Sequence, residues 1–130
     1  MPPLAGLTRR AEFLAAARAR RASSPGLHLQ ARRRSEADQA DPHIVRVGFT
    51  CSKKVGNAVA RNRAKRRLRA AARAVLPEMG QAGWDYVLIG RPAATAARPY
   101  AELLADLGHA LTRVHGGAAP RRRAVQGAPE

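Results

Sequence analysis

Residues 48–75 read GFTCSKKVGNAVARNRAKRRLRAAARAV, and this stretch decides the interpretation of the whole chain. Between Pro42 and Glu78 the sequence has ten Lys and Arg residues and neither Asp nor Glu. Solvated helices usually interleave acids with their cations, because opposite charges three or four residues apart stabilise a helix. Cations without acids repel one another unless an external polyanion screens them. The stretch is therefore predicted to bind nucleic acid, and a merely solvated charged helix face is the alternative.

The same stretch predicts a strand, a turn and a helix. The apolar run over residues 43–51 indicates a strand, and residues 53–56 indicate a turn. Asn57 can cap a helix, because its side-chain oxygen can accept from an unpaired N–H group of the first turn. We expect this helix, called the basic helix in this section, to end near Leu76, because Pro77 follows.

At about 100° per residue, the basic helix has an apolar face and a cationic face. The apolar stripe, which should pack on a sheet, consists of Ala64, Leu68, Ala71, Ala72 and Val75. The stripe that points away from it consists of Asn62, Arg66, Arg69 and Arg73, flanked by Arg63 and Arg67. Arg61 and Lys65 project close to the apolar stripe. We expect them at its margin, because burying an unpaired cation is costly.

The composition fits a small nucleic-acid-binding domain. The chain has 130 residues and a net charge of +15, with 21 Arg against 3 Lys. Arginine makes planar, bidentate contacts to phosphate and stacks on bases, so this balance favours RNA or DNA over an acidic protein partner. Cys51 is the sole cysteine, which excludes an intrachain disulfide and a cysteine-based zinc site.

The elements on either side of the basic helix complete the fold. Thr8 can cap a first helix, in which Phe13 lies on the buried side. In chain order the flanking segments are a helix (residues 10–20), a half-buried strand (27–33), an acidic hairpin loop (35–42), an apolar central strand (84–90) and an amphipathic final helix (100–114). This order predicts an α+β fold, a small two-layer sandwich with helices on an antiparallel-rich sheet.

Residues 1–115 are expected to form a single RNA-binding domain, and residues 116–130 a disordered basic tail that is low in hydrophobes. The Arg121–Arg123 triplet of the tail either adds unspecific RNA affinity or is simply solvated. No apolar stretch approaches the roughly 18 residues of a membrane-spanning helix, and no secretory signal follows the first residues. We therefore expect the protein in the cytoplasm.

The sequence lacks the usual marks of a catalytic or metal site. Hydrolysis of phosphodiesters by the chain itself would need clustered carboxylates for two metal ions, or a pair of histidines near the basic helix. The acids are scattered, and no ligand spacing relates the histidines, which are His28, His43, His109 and His115. No phosphate-binding loop or dinucleotide fingerprint is present. We predict no catalytic residue and no protein-bound metal, in a binding protein whose partner supplies the chemistry.

Residues 48–69, GFTCSKKVGNAVARNRAKRRLR, resemble the signature of the bacterial ribonuclease P protein subunit. The hallmark of that family is an Arg-Asn-Arg box, here Arg61, Asn62 and Arg63. The first helix (RAEFLAA), the later strand (GWDYVLIGRP) and the final helix match as well, so the resemblance covers about residues 9–114. A lone Arg-Asn-Arg triplet would be a weak signal, but the 22-residue run with its flanking elements in order is specific.

The resemblance implies a fold and a function. The fold has the order α-β-β-β-α-β-α, with a left-handed strand-helix-strand crossover through the basic helix, whereas the general rule favours the opposite hand. The family's protein binds a large catalytic RNA, and the holoenzyme removes the 5′ leader of precursor tRNA with Mg²⁺ ions at the RNA active site. The expected partners are therefore this RNA and precursor tRNA, with neither DNA nor a membrane.

The resemblance also implies two binding sites. The positions that match the family's RNA-facing residues are Lys53, Lys54, Arg61, Asn62, Arg63, Lys65, Arg66 and Arg69. A separate groove between the first helix and the sheet holds the single-stranded leader in this family, and its matching residues are Phe13 and Thr50, with Arg91 nearby. Phe13 could instead be an ordinary core residue. Family members often have two more aromatics in this groove, and the corresponding positions here are expected to be Ala17 and Ala31, which would weaken base stacking.

Two other functions are compatible with the composition. A ribosomal or translation-associated RNA-binding protein would bind ribosomal RNA and co-sediment with ribosomes. A self-sufficient nuclease would cleave RNA without a partner, and the scattered acids argue against it.

Overall fold

The computed structural model describes residues 3–116 apart from residues 37 and 39. The strands and helices, in chain order, are β1 Leu4–Gly6, α1 Arg10–Ala17, β2 Arg20–Ser23, β3 Leu27–Arg33, β4 Val45–Thr50, α2 Ala58–Met79, β5 Trp84–Gly90, α3 Ala94–Ala97 and α4 Tyr100–Val114. A short 3₁₀ turn, Lys53–Val55, precedes α2. Apart from Gly116, the predicted basic tail with Arg121–Arg123 lies outside the described residues. Over the described ranges, every helix is too short or too polar to cross a membrane.

The five strands form one mixed sheet in the order β1-β4-β5-β3-β2. β4 is parallel to β1 and β5, whereas β3 is antiparallel to β5 and β2, so the sheet is not antiparallel-rich as predicted. α2 connects the parallel neighbours β4 and β5, because parallel strands cannot be joined by a tight turn. The predicted α-β-β-β-α-β-α order is confirmed from α1 onwards, with α3 as an addition before α4. The left hand of the crossover stays a prediction.

Two further differences from the sequence-based expectation lie near the start of the chain. The sequence predicts no strand or helix in the first seven residues, but residues 4–6 form β1 and pair with Val45–Val47. Three residues are too few for an alternating pattern, so this strand depends on its partner. The first helix ends at Ala17 rather than near Arg20, because residues 20–23 form β2 and pair with β3.

The main core lies between one face of the sheet and the helices α2 and α4. Side chains alternate between the two faces of a strand, and the face toward these helices contributes the fully buried residues Leu27, Leu29, Val45, Tyr86 and Leu88. The two helices contribute Leu68, Leu76, Leu103, Leu107 and Leu111. Burying one such side chain is worth about 1.5–3 kcal/mol. This layer therefore provides most of the hydrophobic stabilisation.

The opposite face of the sheet is packed by α1. A small cluster forms there from Leu7, Ala16 and Val87, and Phe13 and Ile89 pack against it while remaining half-buried. α1 has only eight residues, so it cannot cover a five-stranded sheet. The strip of this face beside α1 is the predicted position of the leader groove.

A buried chain of ion pairs joins α1 to the sheet. The fully buried carboxylate of Asp85 accepts from Arg34 Nη1 at 2.7 Å, and from Arg46 Nε and Nη2 at 2.8 and 2.7 Å. Arg46 Nη1 also donates to Glu12 Oε2 at 2.8 Å, while Glu12 Oε1 accepts from two backbone N–H groups at the start of α1. Burial alone would raise the pKa of Glu12, but these hydrogen bonds and the Arg46 charge lower it. Charge-assisted hydrogen bonds therefore hold α1 in position.

Candidate nucleic-acid interface

The basic stretch forms the helix α2 as its sequence predicts, with one exception at the end. Asn57 caps the helix, since Asn57 Oδ1 accepts from Ala60 N at 2.9 Å. The helix continues two residues past Pro77 instead of ending before it. A proline in the last turn removes one N–H donor, and Gly80 N still donates to Leu76 O at 2.8 Å.

The two faces of α2 are arranged nearly as predicted. The buried residues of the helix are Ala64, Leu68, Ala71, Ala72 and Leu76. Val75 was expected in this stripe but is only half-buried, because Leu76 projects into the core instead. The exposed residues among the predicted RNA-facing positions are Lys53, Lys54, Asn62, Arg63, Arg66 and Arg69. Arg61 and Lys65 are half-buried at the margin of the apolar stripe, as expected.

We call the surface formed by these eight positions the basic face. Within the described part of the chain, none of its cations forms an ion pair with an acid. The acids that do form ion pairs use arginines outside α2, in the pairs Arg32–Asp38, Arg34–Asp85, Arg46–Asp85, Arg46–Glu12, Arg98–Glu102 and Arg98–Asp106. The hydrogen bond from Arg32 holds the pKa of Asp38 below its usual range. The basic face therefore has no counter-charge of its own.

Two arginines of α2, Arg67 and Arg69, make contacts with other parts of the protein. The Arg67 side chain is half-buried, with Nε donating to Thr95 O at 3.0 Å and Nη2 donating to Arg98 O. The Arg69 guanidinium lies over the Phe49 ring, 5.5 Å from its centroid, which is the geometry of a cation–π contact. Arg67 thus directs its donors into the protein, whereas Arg69 is held in place and stays exposed.

Two of the predicted groove residues, Phe13 and Thr50, lie on the α1 side of the sheet. The third, Arg91, lies at the end of the sheet. Phe13 packs directly on Gly48: a Cβ atom at Gly48 would lie 2.5 Å from Phe13 Cε1. Thr50 lies on the same face two residues further along β4, in a row across the sheet with Ile89 and His28. Arg91 follows β5 directly, and its Nη1 donates to Ser24 O at 2.8 Å.

The expectation about Ala31 is wrong. Ala31 pairs with Tyr86 and is fully buried on the other face of the sheet, among the residues that pack against α2 and α4. The β3 residues that face the α1 side are His28, Gln30 and Arg32. The alternating pattern of the β3 sequence already places these three on the opposite face from Ala31. Ser23 Oγ and His28 Nδ1 are hydrogen-bonded at 2.7 Å. Desolvation and the nearby Arg91 charge lower the pKa of His28.

Gly48→Ala is expected to lower the free energy of unfolding by about 1–3 kcal/mol, the usual cost of overpacking. The added methyl would overlap the Phe13 ring, so either the ring or α1 must move. Urea denaturation measures this change. Gly6→Ala is the matched control, because nothing lies within 4 Å of a Cβ atom there. Equal stabilities of the two variants would contradict the close contact between Phe13 and Gly48.

The fold and these surfaces define a class of protein. A small α+β domain with an acid-free cationic helix face on one side of its sheet, and a half-buried aromatic ring beside polar side chains on the other, has the features of an RNA-binding protein. Among the described residues, no group of three His, Cys, Asp or Glu side chains is arranged to hold a metal ion.

Comparisons with known proteins identify the family. A family profile described as Ribonuclease P matches residues 1–115. The ribonuclease P protein component of Ruegeria pomeroyi is 62% identical over 109 residues, which cover 84% of this chain and 85% of that protein. The protein component of Paramagnetospirillum magneticum is 56% identical over 110 residues, which cover 83% and 80%. The chain belongs to the ribonuclease P protein family.

Solved structures agree on the fold. The RNase P protein of Staphylococcus aureus superposes with a TM-score of 0.63 at 21% identity, over 83% of this chain and 93% of that one. The RNase P protein of Thermotoga maritima gives 0.64 at 22% identity, over 81% and 92%. As a member of the family, the chain is an RNA-binding subunit of an endoribonuclease holoenzyme that processes tRNA.

Proposed function

We propose that this protein assists removal of the 5′ leader from precursor tRNA by binding two RNA segments on opposite faces of its sheet. The basic face binds the catalytic RNA of the holoenzyme, and the groove beside α1 binds the single-stranded leader. The observation that carries this proposal is the basic face, whose cations have no acid partner among the described residues.

The basic face suits the phosphate backbone of a folded RNA. Exposed guanidinium groups such as Arg63 and Arg66 keep their donors for phosphate oxygens, which they can bind in pairs. Asn62 adds an amide that both donates and accepts. Lys53 and Lys54 lie at the start of α2, where the helix macrodipole contributes partial positive charge. Phosphate contacts of this kind fix the orientation of a protein on RNA without reading its sequence.

The groove suits a single strand. Its half-buried Phe13 ring offers a surface for one base, and such a stack is typically worth about 1–3 kcal/mol. Thr50 supplies a hydroxyl, and Arg91 supplies a cation at the end of the groove. His28 and Gln30 provide hydrogen-bonding groups on the same sheet face. We propose that leader binding here relies on these polar groups more than on stacked aromatics.

The chemistry is proposed to come from the RNA. Glu12, Asp38, Asp85 and Asp106 are each bound to an arginine, so their oxygens are committed to ion pairs within the fold. Among the described residues, these paired acids therefore do not fit a two-metal hydrolytic site, and we assign the Mg²⁺ ions of the reaction to the RNA active site. The protein's own role is binding and orientation, and its place in the cell is expected to be the cytoplasm.

Cleavage of precursor tRNA at low Mg²⁺ tests this function with three samples: the protein alone, the organism's catalytic RNA alone, and both together. We expect a mature 5′ end in the mixture and much slower or no cleavage in the single-component samples. Cleavage by the protein alone would overturn the assignment of catalysis to the RNA. No stimulation of the RNA by the protein would overturn the proposed function itself.

Phe13→Ala is expected to weaken holoenzyme binding of leader-bearing precursor tRNA by up to about 1–3 kcal/mol, the value of one base stack. Binding of mature tRNA, which has no leader, should hardly change. Equilibrium binding of both tRNAs measures the difference. Leu14→Ala is the control, because Leu14 is the next residue of α1 and is 44% exposed. Equal losses for precursor and mature tRNA would assign Phe13 to the core instead.

A further inference from the structure

A second cleft borders α2 on the side of α4. It is lined by Arg63, Arg66, Arg67, Ala70 and Tyr100 and has a volume of about 310 Å³. The four α2 residues are spaced by three, one and three positions, so they lie along one edge of the helix. Tyr100 is the first residue of α4. The cleft therefore brings one aromatic ring next to the edge of the basic face.

The exposure of Tyr100 is not explained by packing. Trp84 and Tyr86 of β5 are 8% and 0% exposed, whereas Tyr100 of α4 is 43% exposed. An aromatic ring that is left in water loses most of the stabilisation that burial gives to such a residue. A ring face on a cationic surface is, however, what proteins use to stack an unpaired base. Tyr100 thus has the position of a binding residue rather than a core residue.

The wall of the cleft is fixed by neighbouring arginines. Arg67 donates to the backbone oxygens of Thr95 and Arg98, which orders the segment leading to Tyr100. The Arg98 guanidinium is itself held by Asp106, with Nε donating to Oδ2 at 2.9 Å. These two cations are therefore used inside the protein. The cations that remain available at the cleft are Arg63 and Arg66, which are exposed and form no ion pair with a described acid.

We propose that this cleft binds one unpaired nucleotide of the catalytic RNA, with its base stacked on Tyr100 and an adjacent phosphate bound by Arg63 and Arg66. The proposal rests on the function proposed above, in which α2 contacts that RNA. Tyr100 is the one aromatic residue that lines the cleft, so the cleft offers a stacking surface for a single base. Bases within a duplex are stacked on each other and expose no face to a side chain, so the nucleotide must be unpaired.

The test compares Tyr100→Ala with Tyr100→Phe in equilibrium binding of the full chain to the catalytic RNA. Tyr100→Ala should weaken binding by about 5- to 150-fold, the equivalent of one base stack, whereas Tyr100→Phe keeps the ring and should bind like the wild type. The slope of log affinity against log salt should stay the same in both, because neither change removes a cation. Met79→Ala is the control for loss of an exposed side chain, since Met79 is 39% exposed at the far end of α2.

The outcomes separate this inference from the function on which it rests. If Tyr100→Ala binds like the wild type while an Arg63, Arg66 and Arg69 triple variant binds weakly, the stacking site is overturned and the basic face stands. If the triple variant also binds like the wild type, the proposed function fails. A photoreactive aromatic introduced at Tyr100 gives an independent result. Crosslinks to an unpaired nucleotide of the catalytic RNA support the site, and crosslinks only to base-paired segments overturn it.

Discussion

Asp85→Asn is expected to lower the free energy of unfolding by about 3–5 kcal/mol, the cost of removing one partner from a buried ion pair. The substitution keeps the size of the side chain but removes its charge. Arg34, whose side chain is 3% exposed, would then be a buried cation without an anion, and Arg46, at 13%, would keep only its pair with Glu12. Since small domains are stable by only about 5–15 kcal/mol, this change would remove a large part of the total.

Urea denaturation followed by circular dichroism measures this loss. The control is Asp38→Asn, which also removes one carboxylate charge but from a pair whose side chains are both 26% exposed. Such a pair contributes about 0–1 kcal/mol. If both variants lost the same small amount, the Asp85 pairs would have no special role in stability. Because Arg46 links Asp85 to Glu12 of α1, the Asp85 variant should also bind precursor tRNA less tightly than the control.

Replacing Arg63, Arg66 and Arg69 together with Ala is expected to reduce affinity for the catalytic RNA by about 100- to 500-fold at about 0.1 M salt. The estimate assumes that each residue makes one phosphate contact, which adds about 0.7–0.9 to the slope of log affinity against log salt. All three side chains are exposed and form no ion pair with a described acid, so their loss should leave the fold intact. Titrations over a range of salt concentrations give the slope directly.

A variant with the same change in net charge is the control for this experiment. Arg10, Arg21 and Arg33 are also exposed, lie outside α2, and form no ion pair with a described acid. Their joint replacement with Ala should leave the slope for the catalytic RNA nearly unchanged, because they lie away from the basic face. If both triple variants lowered the slope equally, RNA binding would depend on total charge rather than on this helix face.

Much of the fold could be predicted from local patterns. The strands β3 and β5 begin and end at the predicted residues, because β3 alternates strictly and β5 is a short apolar run. The final helix also has its predicted limits, since its leucines recur with helical spacing. The cap at Asn57 and the separation of α2 into a buried and a cationic face depend only on residues within that helix. Patterns contained in one segment were therefore sufficient for these elements.

Features that depend on distant residues were not predictable in the same way. β1 exists only because residues 4–6 pair with β4, and the position of Ala31 depends on which face of β3 packs against α1. The buried ion pairs of Asp85 with Arg34 and Arg46 join three segments that are remote in sequence. The cleft at Tyr100 likewise requires α4 to lie beside α2. No single segment carries these signals, because each arises from tertiary packing.

The alternation of side chains along β4 has a consequence for how the holoenzyme would be built. Phe49 faces α2 and is covered by Arg69, whereas its neighbour Thr50 faces the α1 side, where the leader is proposed to bind. In the proposed complex, two adjacent residues of one strand therefore point toward two different RNA molecules. The sheet and the helix α2 packed on it together set the spacing between the catalytic RNA and the leader. Substitution of a side chain can change how tightly either RNA is held, but the separation between them is a property of the peptide backbone.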